Sequence, residues 1–464
     1  MIFEGFWTLL PPVVAILIAV WKRNAILALT VGIVLTWMLN AQLDVVQGAK
    51  DTLGNLWDVV SSDGNRRIII FSLLIGALLA LMKQSGGVNA FVDGLAQKRL
   101  VTNQRQASLL PSVIGTSIFT DTNLSMFTAG IASQSLFDKY GMSRARLAFI
   151  LDSTCSPISI LLLVNGWGAY ILGLLDGYQL SDTVGVLIDT IFFNFYPIII
   201  LIMVYYTAIS TRVFGPMKNS VPNPYSSEDN GEVTDASDPM LKIKATKACY
   251  LVIPLVGICV ITLGLLLYSG NGDIRKGSGS WSVMWAVISC YVILMAMLLK
   301  DKVFDVKRAL TISASGMKDL LPVVVILVLS FAFGDAVKAF GTGTFVSELL
   351  GSEFPLMYIA PLLFITAGIM AFATGTSWGT FAVLIPIAMP LAASTGLEPA
   401  FLVAAVLGGG IFGDHSSPIS DSTIVASMAS GCDHIEHVKT QLPYNLVAGA
   451  LTLIGYVIYV AWIM

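Results

Sequence analysis

The feature that most constrains this chain is a series of apolar runs, several of them close to the length needed to cross a bilayer. A hydrocarbon core of about 30 Å takes about 20 helical residues. Runs of that kind lie at 6–21, 25–39, 67–82, 107–137, 147–164 and 185–210, and again at 248–268, 281–299, 320–337, 355–393, 399–430 and 441–463. Composition agrees, since 56% of residues are hydrophobic and only 12% charged, against about 25% charged in soluble domains. A water-soluble globule is excluded, and the chain reads as an all-α polytopic membrane protein. A net charge of -3 without a basic stripe excludes nucleic acid as a partner. Cys155, Cys249, Cys259, Cys290 and Cys432 form no CxxC pair, so neither a disulfide framework nor a thiolate metal site is expected. Lys22 and Arg23, rather than small residues, follow the first run, which argues against a cleavable signal.

The runs fall into two groups. Residues 1–214 form an N-terminal membrane repeat and 246–464 a C-terminal one, joined by a polar linker at 215–245 rich in Pro, Ser, Asp and Glu. Gly115-Thr116-Ser117 recurs as Gly375-Thr376-Ser377, and Ser156-Pro157-Ile158-Ser159 as Ser417-Pro418-Ile419-Ser420. Glycine and proline are 42 positions apart in the first half and 43 in the second. Two matches in order at distances that differ by one position indicate duplication, and Lys83 to Phe91 against Lys338 to Phe345 is a weaker echo.

Positive charge marks cytoplasmic loops. The loop at 40–65 is acidic, with Asp44, Asp51, Asp58 and Asp63, whereas its counterpart at 300–318 carries Lys300, Lys302, Lys307, Arg308 and Lys318. Matching loops on opposite faces predict two inverted-topology repeats. Both termini then lie outside and the linker inside, together with the loops of Lys98, Arg99 and Arg105 and of Lys139, Arg144 and Arg146. The runs 107–137 and 355–393 must each enter and leave on one face, so the Gly-Thr-Ser triplets, with Gly115 and Gly375, should mark tips of re-entrant hairpins.

Pro157 and Pro418 should break their helices, with Ser156 and Ser417 capping the new half-helices. A broken helix leaves unpaired amides at one end and unpaired carbonyls at the other. Hairpins and broken helices meeting near the midplane are a recurring design of secondary transporters. Asp121 follows the first tip, Asp152 and Asp414 precede the two breaks, and Asp421 opens the second half-helix. Carboxylates inside a membrane need a partner, and Na+ prefers oxygen ligands. The expected ion or substrate site therefore comprises Asp121, Asp152, Asp414 and Asp421 with the hydroxyls of Thr116, Ser117, Ser156, Ser159, Thr376, Ser377, Ser417 and Ser420. Na+ is placed at Asp414, Asp421 and Ser417. No cofactor is expected beyond Na+ as coupling ion.

Other polar residues have plainer readings beside functional ones. Any single Ser or Thr more often bridges helices than binds a ligand. His415 suits either a proton-linked step or a cap on the broken helix. Trp167 and Trp378 line a pocket for an organic substrate or simply pack. Asp433, His434, Glu436 and His437 fit a wetted helix end better than a metal cluster. Asp335 with Lys338 reads as a membrane-edge pair, and Arg66 and Arg67 as interface anchors.

The run Gly-Asp-His-Ser-Ser-Pro-Ile-Ser-Asp-Ser-Thr-Ile at 413–424 resembles the signature of the NhaC family of sodium/proton antiporters. Ser416 stands where that family usually has cysteine, and Cys155 occupies the corresponding place in the first half. The resemblance spans most of both halves. It implies an inverted-repeat fold, a homodimer with an elevator-like transport domain, and a bacterial cytoplasmic (inner) membrane. Its cargoes include Na+ and H+, lactate and malate, and amino acids. The expected function is thus sodium-coupled secondary transport, first Na+/H+ antiport, with Na+-driven uptake or exchange of a small amino acid or carboxylate as the alternative. A membrane hydrolase using Ser416 or Ser417 with His415 is the competing class. It lacks a GxSxG elbow and gives no reason for a duplicated break.

Overall fold

The computed structural model describes residues 5–96, 101–119, 121–162, 165–178, 180, 182–220, 244–342, 345 and 355–463. Lys98 and Arg99, most of the linker (221–243) and residues 346–354 of an expected outer loop lie outside the described residues.

In chain order the helices of the first half are α1 (Leu10–Lys22), α2 (Ala25–Asn40), α3 (Val45–Ser61), α4 (Asp63–Gln84), α5 (Gly87–Ala96), α6 (Gln104–Ser117), α7 (Thr122–Lys139), α8 (Arg144–Leu161), α9 (Gly166–Asp176), α10 (Thr183–Phe193) and α11 (Phe195–Ser210). The second half supplies α12 (Cys249–Ser269), α13 (Gly279–Lys300), α14 (Val306–Ala339), α15 (Ile359–Thr374), α16 (Ser377–Thr395), α17 (Pro399–Ser416), α18 (Asp421–Ser430) and α19 (His434–Ile463). No strand occurs among the described residues. Nine helical segments there are long and apolar enough to cross a membrane, or up to eleven if each of two bent pairs counts as one span. The protein is an all-α integral membrane protein.

Polar caps set many of the boundaries. Asn24, Asp44, Asn103, Asp121, Ser143, Asn165, Asp182 and Asp305 each accept a hydrogen bond from a first-turn amide of α2, α3, α6, α7, α8, α9, α10 and α14, respectively, which satisfies donors a helix start leaves unpaired. The expected loop at 40–65 is mostly helix α3. The run 185–210 divides at Asn194 into α10 and α11.

Each half contains a helical hairpin followed by a broken helix. α6 ends at Ser117 and α7 starts at Thr122 after a connection that includes the undescribed 120, and α15 and α16 turn at Gly375-Thr376, so both Gly-Thr-Ser triplets sit at hairpin tips as expected. Gly375 is required there: its φ is +70°, and an added Cβ would lie 2.5 Å from the carbonyl oxygen of Ile419. α17 and α18 bend by 50° across residues 417–420, while α8 and α9 bend by 43° across a break that includes the undescribed 163 and 164. Nearly every residue of α8 and of α17 is buried. Helices buried on all sides belong at the centre of the protein, where interrupted backbone is shielded from lipid. α17 approaches α15 closely because Gly409 and Gly413 put no side chain against the Phe364 and Gly368 carbonyls.

The first break departs from expectation. Pro157 lies inside α8, which continues to Leu161, and Ser156 is helical rather than a cap. The chain leaves the helix only at Leu162, and Asn165 starts α9. At the second break Pro418 does sit between helices, but Ser417 closes α17 and Ser420 precedes α18. Pro418 is therefore in the gap, not at the first helical position.

The halves interlock. α18 packs on α7 and α8 of the first half. Gln134 donates to the Ala429 carbonyl at 2.9 Å, and Arg144, forked on Asp138 at 2.9 and 2.6 Å, donates to the Ser430 carbonyl at 2.7 Å. Residues of α7 and α8 thus cap the carbonyl end of α18.

Candidate functional site

At the second break the centre is Asp414, 3% exposed in the last turn of α17. Ser420 donates to its Oδ1 at 2.5 Å and Ser377, at the start of α16, to its Oδ2 at 3.0 Å. Break and hairpin tip therefore meet on one carboxylate. Hydrogen bonds to a charged acceptor are worth about 1.5–3 kcal/mol each. Asp421 opens α18 and takes the Ser422 amide at 2.9 Å, where an acid favours the helix dipole.

The carbonyl pole of the break is closed by side chains. The His415 carbonyl accepts from Gln441 at 3.0 Å and from Asn445 at 2.9 Å, both on α19, and the Asp414 carbonyl accepts from Thr423 at 3.3 Å. Ser417, expected as a cation ligand, instead donates to the Phe372 carbonyl at 2.7 Å and ties the break to α15. The first break is sealed likewise. The Asn165 amide nitrogen reaches the Phe119, Ser159 and Leu162 carbonyls at 2.9, 2.7 and 2.7 Å. Two amide hydrogens serve at most two of these at once.

Between the breaks lies a cavity of about 340 Å3. Asp121, Ser156, Trp167, Thr376, Ser377, Trp378, Asp414 and Asp421 all line it, so eight of the expected residues, drawn from both halves, share one space. The Trp167 and Trp378 rings pack with centroids 4.3 Å apart and planes tilted by 32°, and Tyr170 donates to the Trp378 carbonyl at 2.9 Å. Asp319 of α14 lines this cavity and an adjoining one of about 320 Å3 that reaches Lys83. Lys83 pairs with Asp121 at 3.4 Å, and Asp121 also caps α7 through the Leu124 amide at 2.6 Å. Its charge therefore already has partners within the protein.

Other expected residues do not line the cavity. Thr116 bonds to the Ser112 carbonyl and to the Tyr205 hydroxyl, and Ser117 to the Val113 carbonyl, because hydroxyls in a last helical turn find a carbonyl three or four residues back. Ser159 donates to the Cys155 carbonyl at 2.7 Å. Asp152 is fully buried. Its Oδ2 accepts from Gln441 at 2.6 Å, while its Oδ1 has no hydrogen-bond partner and stands 3.9 Å from the unpartnered Nε2 of His415. His415 Nδ1 faces the Tyr196 hydroxyl at 3.3 Å. Ser416 donates to the Phe412 carbonyl, so neither Ser416 nor Ser417 is engaged with the imidazole as a hydrolase would need.

Sequence reading missed Asp319, Gln441 and Asn445. The expected wetted end at His434 and His437 is partly wrong, since His437 is 0% exposed and His434 Nε2 reaches the Pro418 carbonyl at 2.7 Å. A signal was present: His437, Gln441 and Asn445 recur every four residues, one polar stripe on an apolar helix. No group of three metal-ligating side chains occurs among the described residues.

Residues 158–461 match the Na+/H+ antiporter family, more than half of the chain. The chain belongs to the Na+/H+ antiporter family. An uncharacterized protein of Haemophilus influenzae is 29% identical over 98% of this chain and 91% of its own. The malate-2H+/Na+-lactate antiporter of Bacillus subtilis is 32% identical over 31% of each chain. The solved structure of Neisseria gonorrhoeae MtrF, described as illuminating a class of antimetabolite efflux pumps, superposes with a TM-score of 0.58 at 13% identity over 91% of this chain and 85% of that one. This likeness shows the fold alone. Membership makes the protein a secondary transporter of ions or small solutes, not an enzyme, and its chemistry is binding and release.

Proposed function

We propose that the protein exchanges Na+ for H+ across a bacterial cytoplasmic membrane by alternating access, elevator-like, as a homodimer of chains built from inverted repeats. The observation that carries the reading is the Asp414–Asp421 pair, one buried and hydroxyl-bonded, the other open to the cavity, at a helix break braced by the opposite half. Two acids so close compete for one positive charge. Na+ entering between them displaces a proton, and the cavity delivers both ions. The main-chain carbonyls contribute little, because Gln441, Asn445 and Asn165 already occupy those described above; the carboxylates hold the ion. Purified protein in liposomes is expected to alkalinise or acidify the lumen on an imposed Na+ gradient. Absence of both that response and Na+-dependent solute uptake refutes the reading.

A second reading has its own observation. A cavity of about 340 Å3 walled in part by the packed Trp167 and Trp378 rings is larger than a bare ion needs, and Lys83 in the adjoining space offers a cation to a carboxylate. Na+-driven movement of a small amino or hydroxy acid, the kind of cargo named for the Bacillus subtilis relative, fits that space. It predicts a solute that raises the melting temperature only when Na+ is present.

A further inference from the structure

Behind the cavity wall α18 and α19 build a second polar cluster that the carboxylate pair does not use. Gln441 fixes its polarity. The amide nitrogen of Gln441 faces two acceptors, Asp152 Oδ2 at 2.6 Å and the His415 carbonyl at 3.0 Å, so its oxygen must face His437 Nε2 at 2.7 Å, and that ring nitrogen must carry a hydrogen. His434 is fixed in the same way, since its Nε2 faces the Pro418 carbonyl at 2.7 Å. The Nδ1 atoms of both rings then converge on one hydroxyl, Ser427 Oγ, at 2.8 Å for His437 and 3.1 Å for His434, while Ser427 also lies 2.7 Å from the Thr423 carbonyl.

One hydroxyl hydrogen cannot serve three acceptors. With both imidazoles neutral, two of the three acceptors go without a hydrogen. Adding a proton at His437 Nδ1, 2.8 Å from Ser427 Oγ and 3.3 Å from the Thr423 carbonyl, resolves it without moving a side chain: Nδ1–H is shared between these two oxygens, and the Ser427 hydroxyl turns to His434. The new positive charge faces the Asp152 carboxylate across Gln441. His434, partly exposed, gives the proton a way in from the helix end.

We propose that His437 is a proton-binding site, separate from the cavity carboxylates, that gains and loses one proton in each transport cycle. Its place in the cycle rests on the Na+/H+ reading above; its chemistry does not. The titratable or charged groups around it are Asp152 on α8, His434 on its own helix, and Cys432 in the turn before α19. His415 on α17, Tyr196 on α11, and Asp414 and Asp421 beside the cavity act on the same Asp152. Through Asp152 a cation at Asp414 and Asp421 is coupled to the proton on His437.

Labelling the three histidines with 15N, assigned with H415Q and H434Q, follows His437 from about pH 5 to about pH 9, the range in which imidazoles titrate. The expected result is proton uptake at Nδ1 in that range, at a pH that changes in D152N. A His437 ring that keeps one protonation state throughout overturns the proposal, whether or not the protein moves Na+. In proteoliposomes the H+/Na+ ratio, read from the null point of opposed gradients, should fall by one in H437Q while Na+ binding persists; an unchanged ratio also overturns it. Should H437Q fail to fold, S427A keeps the imidazole, removes the shared hydroxyl and should lower the same ratio. Wild-type protein that moves no Na+ refutes the sodium reading alone and leaves the histidine titration to decide this one.

Discussion

At the scale of single residues, the site separates groups that hold structure from groups left to bind. Asp414 collects two hydroxyls and faces the cavity. Replacing it by Asn keeps the shape and removes the charge, so transport should fall to background while the melting temperature in Na+-free buffer changes little; retained wild-type flux would remove Asp414 from the site. Asn165 is the opposite case. It touches three carbonyls and caps α9, and N165A strands buried carbonyls at about 1–3 kcal/mol. A clear loss of thermal stability is expected, measured by unfolding in detergent. Gly375 is a third case: Ala there meets both a left-handed backbone, costing about 1–2 kcal/mol, and the Ile419 oxygen. G375A should be destabilised and transport-defective together, whereas Ala at Gly396, with positive φ but open space around it, should lose stability alone.

Among elements, the hairpins and breaks govern the design, and they differ in how visible they were beforehand. The Gly-Thr-Ser triplets located both tips, at Gly375 because a left-handed turn needs glycine and at Gly115, which is helical, because a Cβ would meet the Thr154 hydroxyl at 2.5 Å. Pro418 located its break because proline removes a donor where no neighbour restores the ladder. Pro157, in the equivalent place, did not end its helix. α8 is packed on every side and runs on to Leu161, and the chain is held after the break by Asn165, whose side-chain contacts no spacing rule contains. The same limit hid Gln441 and the burial of His437, which lie outside the run 413–424 that they complete. Acids near the breaks were legible as a set, but which of them faced the cavity depended on helix rotation, so Asp414 and Asp421 reached it and Asp152 did not. The contact of α18 with α7 and α8 supplies an element-scale test. Arg144→Met abolishes the fork to Asp138 and the cap on Ser430, and should lower the melting temperature and slow transport without changing apparent Na+ affinity, measured as flux against Na+ concentration. A changed affinity would mean that this contact shapes the ion site itself.

For the whole molecule, the proposed function makes stability depend on Na+. A cation that binds only the folded protein adds RT ln(1 + [Na+]/Kd), about 2.7 kcal/mol at a hundred times Kd. The melting temperature should therefore climb with the logarithm of Na+ at constant ionic strength, and K+ or choline should not substitute. In D414N that slope should vanish. A flat response in the wild type would refute a specific sodium site regardless of any flux measurement.

The docking of α18 against α7 and α8 has a mechanical consequence. The second break cannot swing alone, because Gln134 and Arg144 grip the far end of its half-helix and Gln441 joins Asp152 to the same assembly. Any displacement of Asp414 and Asp421 therefore drags α7, α8 and α19 with it. If the protein works by the proposed alternating access, the part that moves is drawn from both ends of the sequence rather than from one of them.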